Sequence, residues 1–424
     1  MHDHTVSIGT REVWGRNHDV NLRQRDRRQH LYIIGQSGVG KTTLLRNILL
    51  SDIYAGQGVG FIDPHGDAAE DLLDHIPRSR INDVIYFNPT DWDYPVGLNL
   101  LRNSSPRRPR HLVASSIVSI FKSIWGTSWG PRLEYILYAS AAALLECENV
   151  SLLGIQKILV DPKYRTWVIK QVKDPAVRSF WVDEFENYDK RFLQEAIAPI
   201  QNKVGQLLMA APIRNVLGQV RSAINPRFIM DNRKIFIANL SKGKIGDDKA
   251  RLLGAILVTE FQLAAMSRAN IPENNRKDFY LTIDECHNFM TDSFAGILSE
   301  ARKYRLCLTL SHQYVRQLEE KIQDAIFGNV GTMISFRVGE DDAPVMSRAF
   351  GNTYGFERFT ELNNYETIVK ILEEGQHREP FFTKTFAPSG RTHGLRKIIA
   401  KQSRKKYGSQ RRDVEEKIER WMKK

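Results

Sequence analysis

The chain has 424 residues and a mass of 48.7 kDa, which is enough for two or three domains. Its 42% hydrophobic and 26% charged residues, with 28 Gly and 16 Pro, exclude collagen-like, low-complexity and wholly disordered proteins. The 61 Lys and Arg against 49 Asp and Glu give a formal net charge of +12. Twelve of these basic residues and only four acidic ones lie in the segment 395–424. This basic tail could attract a polyanion, or it could serve solubility or be disordered.

The sequence favours a cytoplasmic protein without direct membrane insertion. We expect no signal peptide, because the N-terminus lacks an apolar region. Charges such as Lys122 and Glu260 interrupt the apolar runs before they reach the about 20 residues that a membrane helix needs. Cys147, Cys286 and Cys307 lie far apart without CxxC spacing. They therefore predict neither a disulfide framework nor a zinc site.

Short apolar runs bounded by turn residues recur along the chain and predict strands that are buried on both faces of a mostly parallel sheet. Helical patterns separate these runs, for example at 291–304, where Thr291 is a candidate helix cap. This alternation indicates the α/β class. The predicted strands lie at 31–34, 58–63, 84–87, 235–240, 279–284, 306–310 and 333–338.

A long helical insertion is predicted between the early and the late strands. Between Pro106 and about residue 230 the strand pattern disappears and amphipathic segments take its place. The entrance to this region contains Arg107, Arg108 and Arg110 in a loop whose prolines exclude a regular element. This loop is either a solvated linker or a contact for phosphates.

A phosphate-binding loop is the strongest motif in the sequence. A strand precedes it and a helix follows it, as its chemistry requires. Its glycines let backbone N–H groups close around phosphates, and the N-terminus of the helix adds a favourable dipole. We expect this loop to bind ATP, with Lys41 neutralising the β- and γ-phosphates and Thr42 binding Mg²⁺. The loop comprises Gly35, Gln36, Ser37, Gly38, Val39, Gly40, Lys41, Thr42 and Thr43.

Candidate catalytic residues follow two of the predicted strands. Asp284 and Glu285 stand at the end of the run at 279–284. In a sheet that carries a phosphate loop, Asp284 is expected to bind Mg²⁺ and Glu285 to orient the attacking water. The alternative is that the acidic pair only caps a helix. Gln313 lies just beyond the run at 306–310 and is either a sensor of the γ-phosphate or an ordinary polar strand end.

The sequence predicts a single nucleotide-binding lobe. The tetrapeptide DECH at 284–287 resembles the DExH box of two-lobed helicases. However, the residues after Val338 are too few for a second lobe and contain no QxxGRxxR element. The lobe must therefore find its second nucleotide-facing surface on a neighbouring subunit, which implies a ring.

Several segments together carry a resemblance to a known family. Across residues 5–390 the chain resembles the HerA/FtsK superfamily of ring-forming DNA-pumping ATPases, and within it the motor domains of TraG-like conjugative type IV coupling proteins. The segments are the phosphate loop, DPHGD at 63–67, GLN at 97–99, LSKGKIGDDKARLLG at 240–254, TIDECHNF at 282–289, SEARKYRL at 299–306 and LSHQY at 310–314.

The resemblance implies a RecA-like P-loop NTPase core with a mostly parallel sheet and an all-α insertion domain. Coupling proteins carry N-terminal transmembrane helices and HerA proteins a small β-barrel, and we expect neither in the 34 residues before Gly35. Recruitment to a membrane would then depend on a partner protein. The expected parts are an N-terminal arm at 1–30, the ATPase motor at 31–105 and 231–394, the helical insertion at 106–230 and a basic tail at 395–424.

The resemblance also assigns roles to basic residues. In the family an arginine from one subunit completes the ATP site of its neighbour, and the matching residue here is Arg302, with Arg305 as the second candidate. A surface salt bridge is the alternative for both. Lys242 and Lys244 lie in a glycine-containing loop that could follow a DNA backbone. That loop could equally lie at a subunit boundary or in solvent.

The sequence thus predicts an ATP- and Mg²⁺-dependent DNA translocase that forms a homohexameric ring around DNA for conjugative or mobile-element DNA transfer. A relaxase, a nuclease or a membrane-anchored secretion protein would fit as its partner. Three alternatives stay open. They are a HerA-like motor paired with a nuclease in DNA processing or defence, a type IV secretion ATPase that moves protein, and a nucleotide-switched assembly platform.

Overall fold

A computed structural model describes residues 4–102, 109–126 and 129–423 of the chain. Strands and helices alternate along most of it, and the α/β class that the sequence predicts is confirmed. The strands are β1 (Thr5–Val13), β2 (Arg16–Arg23), β3 (Leu31–Ile34), β4 (Gly58–Asp63), β5 (Val84–Phe87), β6 (Ile235–Asn239), β7 (Phe279–Ile283), β8 (Leu306–His312), β9 (Thr332–Ser335), β10 (Glu366–Lys370), β11 (Leu372–Glu373), β12 (Gln376–His377) and β13 (Phe381–Thr385).

The α-helices are α1 (Lys41–Tyr54), α2 (Asp67–Asp74), α3 (Arg110–Trp125), α4 (Pro131–Leu144), α5 (Leu153–Val160), α6 (Pro162–Ile169), α7 (Pro175–Ser179), α8 (Lys190–Met209), α9 (Ala211–Leu217), α10 (Pro226–Asp231), α11 (Lys242–Ile245), α12 (Asp247–Met266), α13 (Phe294–Glu300), α14 (Glu320–Asn329), α15 (Ala343–Ala349), α16 (Glu357–Thr360), α17 (Arg396–Tyr407) and α18 (Arg411–Lys423).

Within the described residues, 11 strands form one sheet in the order β2-β1-β13-β10-β9-β3-β8-β7-β4-β6-β5. The strands from β9 to β5 in this order pair in parallel. They are the strands that the apolar runs predict, so the mostly parallel sheet is confirmed. Their residues are almost all buried, as expected for a sheet whose two faces are covered.

The antiparallel strands β1, β2, β10 and β13 were not predicted. Their burial explains why: residues of β13 alternate between buried and exposed, and most of β2 is exposed, so neither gives a continuous apolar run. Residues 1–30, expected as an arm, contain β1 and β2. The side chains of Val6, Ile8, Val20 and Leu22 from this hairpin are buried in the core.

The helix predicted at 291–304 is shorter than expected. Its α-helical part is α13, and a 3₁₀ turn at Ala301–Tyr304 follows. The prediction of Thr291 as the helix cap is wrong. The Thr291 hydroxyl bonds to Ser293 Oγ at 2.8 Å, and its carbonyl accepts from the amide of Phe294 at 2.8 Å, so the helix begins later.

The chain forms two compact units. The first contains the sheet and comprises Met1–Phe87, Pro226–Ser241 and Ala264–Gln402. In its core one side of α1, including Leu44 and Ile48, packs with Ile33 and Ile334 of the central strands. This packing holds α1 against the central strands, and the loop at 35–40 connects the end of β3 to the start of α1.

The second unit is helical in its described regular elements. It comprises Asn88–Asn225, Lys242–Leu263 and Ser403–Lys424, and therefore holds helices of the expected insertion together with most of α12 and with α18. Val414 and Ile418 of α18 are buried, and Asn215 Nδ2 donates to Glu415 Oε1 at 3.0 Å. The basic tail is thus folded into helices rather than disordered.

The loop that enters the insertion is only partly described. Arg107 and Arg108 lie outside the described residues. Arg110 is the first residue of α3, and its guanidinium lies 3.3 Å from the carboxylate of Glu146, so a local ion pair occupies this arginine.

One described helical segment, 247–270, has the length and apolar composition to cross a membrane. It was not predicted as a span because Glu260 interrupts it. In the structure 72% of its most apolar window is buried inside the protein, as in the core helix of a globular protein.

Candidate nucleotide-binding site

The candidate phosphate loop joins β3 to α1. β3 lies between β8 and β9 and is completely buried, so the start of the loop is fixed. Gly38 and Gly40 adopt φ values of +78° and +118°, which side chains rarely tolerate. Ser37 and Gly38 are exposed while Val39 is buried. The loop is therefore anchored at its centre and open to a ligand at its tip, next to the N–H groups that begin α1.

Lys41 is a buried cation at the base of this loop. Its side chain is only 7% exposed, and Nζ donates to the carbonyls of Gly35 at 2.5 Å and Gln36 at 2.8 Å. Burial lowers the pKa of Lys41, while the charges of Glu285 and Asp284 oppose this shift. The ammonium group therefore faces two carboxylates and the phosphate loop together.

The two carboxylates follow β7. Asp284 and Glu285 are each only 6% exposed. Burial, with the charges of Glu285 and Asp63, raises the pKa of Asp284 to about 7. Buried oxygen donors with excess negative charge fit a hard divalent cation, which would relieve this repulsion. The buried Asp284 carboxylate therefore suits the Mg²⁺ role predicted for it, while the role of Thr42 as the second Mg²⁺ ligand stays a prediction.

Glu285 is held in an unusual conformation. Its φ of +44° lies in the left-handed region, a strain that is often found at functional sites. Oε1 accepts a hydrogen bond from Nε2 of Gln313 at 2.8 Å. Oε2 is buried, accepts no hydrogen bond from the described residues, and lies 3.5 Å from Nδ1 of His287. One carboxylate oxygen is thus fixed and the other can accept a bond from water.

A third carboxylate, Asp63, ends β4. Its oxygens accept from the amides of His65 at 2.8 Å and Ala69 at 2.9 Å. Gly66 completes this turn with a φ of +96°, and a Cβ there would come within 2.4 Å of Oδ1 of Asn239. The segment DPHGD therefore forms a closed turn before α2, which places the Asp63 charge near Asp284.

The two candidate arginines differ in their surroundings. Arg302 is exposed in the 3₁₀ turn after α13 and has no ion pair among the described residues. Arg305 is only 9% exposed, and its guanidinium lies 3.8 Å from Asp278 and 3.6 Å from Glu273. Arg302 is thus available to another chain, whereas Arg305 is occupied within its own.

The glycine-containing loop expected around Lys242 and Lys244, at 241–249, is more ordered than expected. Lys242 and Lys244 belong to the short helix α11, and Gly246, with a φ of +92°, separates it from α12. Lys244 and Gly243 are exposed, while Ile245 is buried. The two lysines belong to the second unit, whereas Lys41 and the carboxylates belong to the first.

Two residues next to the phosphate loop were not identified from the sequence. The Arg337 guanidinium donates to Oε1 of Gln36 and to Oδ1 of Asn364, both at 3.3 Å. The amide of Tyr365 donates to the carbonyl of Val39 at 2.9 Å. Arg337 lies within a predicted strand, and its charge in that apolar run was the one sequence feature that could have indicated a functional residue. No sequence pattern singles out Tyr365.

Comparison with known protein families finds a similarity in one segment of the chain. Residues 278–367 match a family model described as the TraM recognition site of TraD and TraG. This segment runs from just before β7 into β10 and includes Asp284, Glu285 and Gln313. No curated protein sequence matches the chain.

Solved structures share the fold of most of the chain. The plasmid coupling protein TrwB with the ATP analogue ADPNP has a TM-score of 0.63 and 15% identity over 87% of this chain and 88% of that chain. TrwB with ADP and Mg²⁺ has a TM-score of 0.59 and 14% identity over 92% and 96%. VirB4 of Thermoanaerobacter pseudethanolicus has a TM-score of 0.57 and 15% identity over 84% and 89%. The RecA-like fold is therefore confirmed, and the resemblance to TraG-like coupling proteins is confirmed by this shared fold and by the family match of residues 278–367.

Proposed function

We propose that the chain is a Mg²⁺-dependent ATPase that moves DNA through a ring of identical subunits, and that this ring is a hexamer. One observation carries the proposal. The phosphate loop, Gln313 and the pair Asp284 and Glu285 follow β3, β8 and β7, which are neighbouring parallel strands. The carboxyl ends of such strands lie side by side, so groups that bind phosphate and groups that activate water meet.

Each of these residues has a separate task in hydrolysis. The N–H groups of the loop and the ammonium of Lys41 bind and neutralise the phosphates. Glu285, held through one oxygen by Gln313, uses the other to orient a water molecule for attack on the γ-phosphate. Mg²⁺ held by Thr42 and Asp284 would neutralise charge that develops on the phosphates. The nucleotide and Mg²⁺ complexes of TrwB support the choice of these ligands.

In a ring, each subunit can supply an arginine to the ATP site of its neighbour. The described chain carries one phosphate loop, and Arg302 projects from the turn after α13 without an ion-pair partner in the described residues. A neighbour's Arg302 would stabilise charge on the transferred phosphoryl group. This arrangement makes hydrolysis depend on subunit contact.

DNA is the proposed cargo because the sequence motifs and the fold resemble coupling proteins and because the chain is basic. The net charge of +12 favours a polyanion, and Lys242 and Lys244 remain proposed DNA contacts. The match of residues 278–367 to a model named for TraM recognition supports a protein partner at the motor. A relaxase, a nuclease or a membrane-anchored secretion protein remain candidates, with the motor itself in the cytoplasm.

Hydrolysis measured with and without DNA tests this function. The wild-type chain should hydrolyse ATP in Mg²⁺, single- or double-stranded DNA should stimulate it, and particle imaging with ATP should show six-membered rings. Glu285→Gln is the control for contaminating ATPases. Hydrolysis that responds to neither type of DNA would favour the secretion ATPase, and binding without hydrolysis would favour the assembly platform. A relaxase gene beside this one would favour the conjugative DNA motor, and a nuclease gene would favour the HerA-like motor.

A further inference from the structure

Tyr365 adopts a backbone conformation that the surrounding structure enforces. Its φ is +68°, in a region that bulky residues rarely enter. Its amide donates to the carbonyl of Val39 in the phosphate loop at 2.9 Å. Its own carbonyl accepts from the amide and the hydroxyl of Thr385, at 2.8 and 3.1 Å. One hydrogen bond to the loop and two from Thr385 on β13 thus fix the backbone of this residue.

The ring of Tyr365 lies against Gly40. A Cβ on Gly40 would come within 2.8 Å of Cδ1 of this ring, so the contact explains why residue 40 has no side chain. Although it packs on the loop, the tyrosine remains 42% exposed. Phe336, which lies beside the same glycine, is completely buried. One of the two aromatic rings therefore supports the loop from the core, and the other presents a surface to solvent.

The exposed ring of Tyr365 lies next to the loop that is proposed to bind the phosphates of a nucleotide. Phosphates bind to the N–H groups around Gly40 and the start of α1, so the nucleoside end of a bound nucleotide must leave the loop close by. We propose that Tyr365 is the platform on which the nucleobase of the bound nucleotide stacks. This inference rests on the proposed function, because it deepens the nucleotide site by naming the residue that contacts the base.

The neighbouring polar groups indicate how selective this platform is. The guanidinium of Arg337 already donates to Gln36, Leu362 and Asn364. It therefore has little capacity left to read the edge of a base. Stacking on an aromatic ring tolerates every base, because each has a π-face. Adenine and guanine nucleotides should consequently bind with similar affinity.

Calorimetric titration of the full chain with ATP and with inorganic tripolyphosphate, both in Mg²⁺, tests the proposal. Tripolyphosphate occupies the loop without a base. Tyr365→Leu keeps an apolar contact but loses the flat ring, and Tyr365→Phe keeps the ring. Phe382→Leu is the matched control, because Phe382 is a similarly exposed aromatic residue, at 40%, on β13 of the same sheet.

Tyr365→Leu should weaken ATP and GTP binding by about tenfold or more and leave tripolyphosphate binding unchanged. Tyr365→Phe and Phe382→Leu should bind all three ligands like the wild type. Equal losses for ATP and tripolyphosphate would overturn the proposal, since Tyr365 would then only support the loop. Unchanged ATP affinity in Tyr365→Leu would also overturn it while the proposed function stands. A wild-type chain that binds neither ATP nor tripolyphosphate would overturn both the stacking proposal and the proposed function.

Discussion

Gln313 fixes the carboxylate of Glu285 through one hydrogen bond of 2.8 Å, although the two residues follow different strands. We propose that the γ-phosphate of a bound nucleotide lies close to this amide, at the edge where the parallel strands end. A change at the phosphate would then reach Glu285 through a single side chain. The effect of Gln313 on hydrolysis can therefore be measured separately from its effect on nucleotide binding.

Replacing Gln313 by Leu should therefore slow hydrolysis without preventing ATP binding. The leucine cannot donate to Glu285, so the carboxylate would orient water less well. We expect ATP turnover to fall by at least about tenfold, with ATP affinity within about threefold of the wild type. Gln317→Leu is a matched control, because Oε1 of Gln317 accepts from the amide of Tyr314 instead. Normal turnover by Gln313→Leu would exclude Gln313 from the mechanism.

Lys41 and Glu285 should separate binding from hydrolysis. Lys41→Ala removes the buried ammonium and its bonds to the carbonyls of the loop, so ATP binding should weaken strongly. Glu285→Gln keeps the shape of the side chain but loses the charge, so ATP should bind while turnover falls by about a hundredfold or more. Isothermal titration and a steady-state phosphate assay measure the two effects. Wild-type hydrolysis by Glu285→Gln would remove that residue from catalysis.

Burial decides which parts of this fold the sequence reveals. The parallel strands are apolar along their whole length, because both faces are covered, and they were predicted. The β1–β2 hairpin alternates polar and apolar residues at the edge of the sheet, and it was missed. At the site, motifs singled out Asp284, Glu285 and Gln313, and the structure brings them together. Tyr365 gave no signal, because its importance depends on its backbone angle and on contact with the distant Gly40.

Acid should destabilise the first unit through its buried histidines His30 and His312. Burial lowers the pKa of His30 to about 4 and that of His312 to about 3. Because unfolded histidine titrates near 6.5, the unfolded state binds more protons below that pH, so stability is lost as the pH falls towards 4. His30 alone should cost about 2 kcal/mol at pH 5 relative to pH 7.5. Urea unfolding at the two pH values measures this difference.

The variant His30→Gln tests the origin of that pH dependence. The ring of His30 bonds to the carbonyl of Leu298 and the amide of Leu308, both at 3.1 Å, and glutamine can both donate and accept without titrating. The pH dependence of the unfolding free energy should therefore shrink in this variant. The same pH dependence in both proteins would show that His30 does not contribute to it.

Three lysines on α17 should contribute to DNA affinity. Lys397, Lys401 and Lys405 are exposed and lie four residues apart, on one face of the helix. None of them has an ion pair among the described residues, whereas Arg404 pairs with Asp91 at 2.7 Å. The lysines are thus the part of the tail best placed to contact phosphates.

Changing these three lysines to Gln should flatten the salt dependence of DNA binding. Each phosphate contact that is lost lowers the slope of log K against log salt by about 0.9. Substitution is preferable to deletion of the tail, because Val414 and Ile418 are buried. DNA-independent ATP turnover should not change, and Arg412→Gln, at a residue paired with Glu416 at 2.9 Å, should leave the slope unaltered. A slope unchanged in the triple variant would mean that α17 does not contact DNA.

The contrast between Arg302 and Arg305 gives the sharpest test of a shared ATP site. Arg302 is exposed, so Arg302→Ala should fold and bind ATP normally but lose turnover by a factor of about 10³ to 10⁵ if it acts on a neighbour. Arg305 is buried beside Asp278 and Glu273. Arg305→Ala should therefore lower the melting temperature and leave the turnover of the folded protein nearly unchanged.

Mixing variants shows whether Arg302 acts across the subunit boundary. In a mixed ring an Arg302→Ala subunit keeps an intact phosphate loop, and a Lys41→Ala neighbour can supply the missing arginine. Activity should therefore return in part when the two inactive proteins are mixed, and it should follow the fraction of such pairs as the ratio is varied. Subunit exchange must be verified independently, for example by energy transfer between labelled chains. If Arg302 acts on a neighbour, exchange must create some ATP sites that combine an intact phosphate loop with an intact arginine. A mixture that exchanges subunits and still stays as inactive as its components would therefore show that Arg302 acts within its own subunit or not at all.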